Sequence, residues 1–155
     1  MGTVAGMGQE GEHRHAYVAT AEVAAPAAVV WAVLADVEAM PTWTASMDEV
    51  RRLDDGPFRL GSRARVRQPA LPPATWVVDE WEPPVVLAWT SRAPGVRTRG
   101  RHEVRSLDGE RSAVTLSIRQ DGALAGVLWR WTGATARRYV DLELAGLAAE
   151  AVRRA

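Results

Sequence analysis

Five clusters of turn-forming residues punctuate the middle of this chain: Asp54-Asp55-Gly56-Pro57, Leu71-Pro72-Pro73, Glu82-Pro83-Pro84, Ala93-Pro94-Gly95 and Leu107-Asp108-Gly109. They recur at intervals of roughly 11–17 residues, enough for one strand and its turn. The spacing predicts an antiparallel meander of hairpins. We expect strands over 14–23, 46–53, 59–68, 75–82, 85–91, 97–107 and 112–120, with the prolines in the turns. A proline inside a strand would delete a ladder hydrogen bond.

Two segments break this rhythm. Residues 26–38 are apolar at helical spacing and open on Pro26, which suits a first helical position because its missing N–H has no partner there. A short helical turn is expected around Met40 to Thr44. Residues 124–153 form the second helix, with Arg153 and Arg154 favouring its negative end. Gly126 and Gly133 each cost about 1 kcal/mol in a helix interior, so a break is expected near Gly133. Beyond it, Thr135, Tyr139, Leu142, Gly146 and Ala149 are expected on one helical face.

The chain has 155 residues, which suits a Gly-rich flexible tail over 1–12 and a single domain over 13–155. A domain of that size buries roughly 70% of its unfolded surface and can afford an internal pocket. Arginine supplies every basic side chain, and the 19 basic and 19 acidic residues cancel. Without a global positive field, no nucleic-acid binding is expected. Cysteine is absent, which excludes disulfides and thiolate chemistry. The N-terminus lacks a basic start followed by an apolar core, so no secretory signal is expected in it. The longest apolar run, 23–37, is too short to span a bilayer, so no integral membrane segment and a cytoplasmic location are expected.

Alternation assigns the strand faces. In 97–107, Arg97, Arg99, Arg101, Glu103 and Arg105 form a solvated stripe, so His102 points inward with Thr98, Gly100 and Val104. By the same rule Ala64, Val66 and Gln68, then Val85, Leu87 and Trp89, then Val114, Leu116, Ile118 and Gln120 point inward, while in 75–82 both faces are mixed and Trp76 and Val78 are favoured inward. This set mixes large aromatics, small residues and a few neutral polar groups. Ligand pockets have that lining, as do closed cores with a few satisfied polar groups. The candidate ligand-binding residues are Trp43, Gln68, Trp76, Trp89, His102, Gln120 and Tyr139, with Trp43 near the entrance.

Seven tryptophans stand against one phenylalanine and two tyrosines. Trp31 on the first helix reads as core. Trp129 and Trp131 point to different sides of the last helix, so one of them stays off the buried stripe. A pocket mouth, a homodimer contact or a membrane-facing edge would each use it, and an exposed tryptophan without a role is the plain alternative. His13-x-His15 lacks a third ligand, so no metal is expected. His102 is the one candidate acid–base group, set against the simpler reading of a hydrogen-bonded core histidine. Glu80 reads first as an ion-pair partner and only second as a general base.

The order of several short features, Ala25-Pro26, Val30-Trp31, Leu34-x-Asp36, Met40-Pro41-x-Trp43, Trp76-x-Val78, Glu82-Pro83-Pro84, Leu87-x-Trp89 and Glu143-x-x-Gly146-Leu147, resembles the START-like (SRPBCC) superfamily of polyketide cyclases/dehydrases and lipid transport proteins. The resemblance implies an α+β helix-grip (START/Bet v 1-like) fold: a seven-stranded antiparallel sheet wrapped around a long C-terminal helix, with a cavity between them. It further implies a small, mostly apolar ligand, such as a polyketide, isoprenoid or lipid, and no cofactor. Cyclases of this fold place tyrosine and arginine groups in the pocket. Here Tyr139 is the one pocket tyrosine and no arginine alternates clearly inward. The expectation is therefore a carrier or chaperone, with a cyclase/dehydratase using His102 as the alternative.

Overall fold

The computed structural model describes residues 14–155, so the expected tail over 1–12 and His13 lie outside the described residues. Seven strands form one antiparallel sheet: β1 (Ala16–Val23), β2 (Glu49–Arg52), β3 (Arg63–Gln68), β4 (Leu71–Glu82), β5 (Val86–Ala93), β6 (Val96–Ser106) and β7 (Ser112–Asp121). The spatial order is β1-β7-β6-β5-β4-β3-β2. Strands β2 to β7 run as a meander from one edge to the other. β1 returns to pair along its whole length with β7, from Ala16 opposite Arg119 to Val23 opposite Ser112.

Helix α1 (Ala27–Ala35) and the 3-10 turn η1 (Val37–Thr42) carry the chain from the β1 edge to the β2 edge. Val30, Trp31, Val33, Leu34, Val37 and Met40 are buried on this crossing. Pro26 sits one position earlier than expected, as the N-cap of α1. The sheet curls around α2 (Ala125–Arg154), which buries Ala136, Tyr139, Val140, Leu144, Leu147 and Ala151. This is the helix-grip architecture.

Four local expectations are corrected. Leu71-Pro72-Pro73 is not a turn but the start of β4, and the turn falls at Pro69-Ala70. Strand β5 ends its pairing at Ser91 opposite Trp76, so the two prolines extend past β5 and delete no ladder bond there. Val85 is not inward; it lies 43% exposed in the β4–β5 turn. Helix α2 runs unbroken through Gly133, where the Trp129 indole, one turn earlier, would meet an added Cβ at 3.0 Å. Packing against that ring and the sheet outweighs the glycine's helix cost. Finally, the buried stripe of α2 is rotated by one residue from the expected face, and of that set only Tyr139 is buried.

A β-bulge between Val78 and Glu80 resolves the mixed faces of β4. The extra residue keeps Val78 and Trp81 inside while Asp79 and Glu80 both face out. Trp81 packs on Trp31 and Phe58, with ring centroids 5.3 and 5.6 Å away. Outside, Glu80 pairs with Arg99 at 2.7 Å and Arg101 at 3.2 Å. Burial opposes its charge, but hydrogen bonds from Arg101 and Arg99 hold its carboxyl below the usual range. Arg97, Arg99 and Arg101 of the β6 stripe are thus ion-paired over the outer sheet face, and Glu80 is an ion-pair partner.

Candidate functional site

Between the concave sheet face and α2 lies a cavity of about 560 Å³. Pockets that hold drug-sized ligands typically span about 300–1,000 Å³. Trp76, Trp89, Gln68, His102, Gln120 and Tyr139 line it, together with Gly100, Leu116, Ile118 and Ala136. Trp76 and Trp89 pack at a tilt of 41° with centroids 5.7 Å apart, and Gly100 makes room for them: a Cβ there would sit 3.3 Å from the Trp89 indole nitrogen. Arg65 and Arg92 border the same cavity but are exposed, and Arg65 alternates outward between buried Ala64 and Val66, as expected. Trp43 is also corrected. It does not line the cavity but packs against Gly146 of α2, whose added Cβ would lie 2.0 Å from the Trp43 carbonyl oxygen.

Within the wall, His102 projects from β6 toward α2. Its Nδ1 is 3.0 Å from the Leu87 carbonyl oxygen and its Nε2 is 2.7 Å from Glu143 Oε1. A carbonyl only accepts, so Nδ1 carries a proton and donates. The remaining contact, Nε2 to Oε1, therefore shares one proton between imidazole and carboxyl. Burial disfavours charge on the ring, but the Glu143 charge, its hydrogen bond and the Leu87 carbonyl outweigh this and raise the His102 pKa above 6.5. Glu143 also borders the cavity, and only its Oε1 is hydrogen-bonded among the described residues.

Glu143 is the candidate site residue that the sequence reading did not single out. Its position four residues after Tyr139 placed it on the same helical face, one turn on. Nothing local showed that β6 would bring His102 to it from 41 positions away. Tyr139 is held as well: the Ala70 N–H donates to its hydroxyl oxygen at 2.8 Å, which leaves the phenolic hydrogen directed elsewhere. Gln68 Nε2 donates to the Ser46 carbonyl at 3.1 Å, and Gln120 Nε2 reaches the Thr98 hydroxyl at 3.4 Å. Among the described residues, no three His, Cys, Asp or Glu side chains gather as a metal site. No described helix is long and apolar enough to cross a membrane.

Comparison with solved structures places this architecture among known proteins. The Zhui aromatase/cyclase from a Streptomyces species is 25% identical, with a TM-score of 0.72 over 90% of this chain and 94% of that one. A hypothetical protein from Helicobacter pylori is 18% identical, with a TM-score of 0.76 over 97% of this chain and 99% of that one. The di-domain aromatase/cyclase StfQ of the steffimycin pathway is 19% identical, with a TM-score of 0.68 over 89% of this chain and 45% of that one. No curated protein matches the chain in sequence. A family model does match, over residues 14–152, so the sheet, the cavity and the helix that closes it all fall within the match, and the chain belongs to the polyketide cyclase/dehydrase and lipid transport family.

Proposed function

We propose that this protein is a cofactor-free cyclase/dehydratase acting on a polyketide-like chain, with Glu143 and His102 as its proton-transfer pair. The observation that carries this reading is the 2.7 Å contact between His102 Nε2 and Glu143 Oε1 in the cavity wall. A structural core histidine also satisfies both nitrogens, but it does not need a partner that itself takes up and releases a proton at the cavity wall. A histidine whose two nitrogens are fixed by a carbonyl and a carboxylate has a defined tautomer and a shifted pKa, as proton-transfer groups require.

In a poly-β-ketone, the carbon between two carbonyls is acidic. Glu143 takes its proton, the carbanion attacks a carbonyl further along the folded chain, and a carbon–carbon bond forms. The proton returns from the pair to the new alkoxide. Loss of that hydroxyl with a neighbouring carbon-bound hydrogen releases one water and leaves the pair in its starting state. The tryptophan walls fold the chain, and orientation supplies much of the rate. Tyr139 offers its phenolic hydrogen to a carbonyl oxygen as charge develops there. The Zhui and StfQ aromatase/cyclases support the reaction class by likeness of fold.

The test is turnover of a poly-β-ketone thioester by the wild type, His102→Gln and Glu143→Gln. The variants should lose roughly 10²–10⁴-fold in rate. Their affinity for the chain should change by no more than about tenfold. A wild type without turnover, or variants as fast as it, would remove the enzyme reading. The carrier reading draws on the apolar and small residues that make up most of the lining, which suit simple retention of an apolar molecule. It calls for bound ligand of unchanged mass.

A further inference from the structure

The N-terminal part of α2 has an outer face that the fold leaves uncovered. Leu124, Val127 and Trp131 are 52%, 60% and 80% exposed. With Ala134 and Arg138 they share one side of the helix. The opposite side of the same turns, through Leu128, Thr132 and Ala136, lines the cavity. Leu124 also packs on Gly95 in the β5–β6 turn, whose neighbours Ala93 and Val96 border the cavity too. The uncovered face therefore flanks one end of the cavity.

Charge gathers at the same end. Between Ala125 and Val140 the helix carries Arg130, Arg137 and Arg138 and no acidic residue. Asp121 pairs with both Arg97 and Arg119. Arg92, Arg130, Arg137 and Arg138 form no ion pair among the described residues. The chain is neutral as a whole, so this clustering is local and leaves its counter-charge elsewhere. Aromatic and aliphatic side chains flanked by arginine on one helix are the pattern that settles into a lipid–water interface. A two-fold contact between copies would set the arginines of both against each other, which disfavours self-association through this face.

We propose that this end of the molecule docks on an anionic lipid surface, with Leu124, Val127 and Trp131 entering the interface and Arg130, Arg137 and Arg138 meeting the headgroups. An apolar ligand could then enter or leave the cavity without crossing water. The proposal holds whether or not the ligand is chemically changed.

Vesicle co-sedimentation tests it, together with tryptophan quenching by brominated acyl chains. The vesicles are phosphatidylcholine alone or with about one-third phosphatidylglycerol. The wild type should bind the anionic vesicles at least about tenfold more tightly than the neutral ones, and release as salt rises. Trp131→Ala and Val127→Ser should each weaken binding several-fold and reduce quenching. Leu60→Ser should change neither, because Leu60 is 62% exposed on the β2–β3 loop, outside this face. Equal binding to both vesicle types would overturn the proposal. So would a Leu60→Ser loss matching that of Trp131→Ala, or a concentration-dependent dimer that Trp131→Ala abolishes.

Discussion

His102 has no free ring nitrogen, and this sets what it can do. Nδ1 donates to the Leu87 carbonyl, and Nε2 shares its proton with Glu143. The folded state raises its pKa above 6.5, so it favours the charged ring. The linkage sign follows. The pair's contribution to stability is full below the unfolded value of about 6.5 and is lost as pH rises through the higher folded value. Glu143→Gln removes the attracting charge. Urea unfolding across pH 5–9 should therefore show the wild type's advantage over Glu143→Gln shrinking towards the alkaline end; an advantage that grows with pH would contradict the pairing. Nitrogen NMR of the ring should give a midpoint above 6.5 in the wild type and a lower one in the variant. The inward ring of His102 was legible in the sequence because charged residues alternate around it on β6. Its partner was not, because the distance between β6 and α2 is a tertiary quantity that no local pattern carries.

At the scale of elements, close approaches fix where α2 lies. Gly146 brings the helix against the Trp43 backbone, with no room for a Cβ. Gly146→Ala should force the two apart and cost roughly 1–3 kcal/mol, read as a lower urea midpoint at unchanged slope. An unchanged midpoint would mean the approach is not tight. This contact also explains why Trp43 misses the cavity: its place is set by the helix it supports. Strands were legible where alternation was regular, as in β6 and β7. They were misjudged where two local rules competed. Pro72 and Pro73 read as a turn because prolines seldom enter strands, yet β4 outruns β5 and leaves their side of the ladder empty. On α2, alanine and glycine are so frequent that apolarity barely distinguishes its faces, and the buried stripe was read one residue out of phase.

The whole molecule is a sheet closed by a helix around a space that neither fills. That space makes two demands on binding. Ala136 lies on α2 in the cavity wall, so Ala136→Trp should fill part of the volume and weaken binding of an aromatic polyketide at least about tenfold. Ligand at one hundred times its Kd should stabilise the wild type by about 2.7 kcal/mol. For a chain of this length that is a rise in melting temperature of roughly 5–11 °C. Native mass spectrometry of the wild type mixed with a poly-β-ketone thioester tests the central claim most directly, because one spectrum reports both occupancy and chemistry. The account predicts one ligand per chain, bound at a mass lower by one water molecule, and bound unaltered in Glu143→Gln. A wild type with no bound ligand, or with ligand of unchanged mass after long incubation, would contradict it.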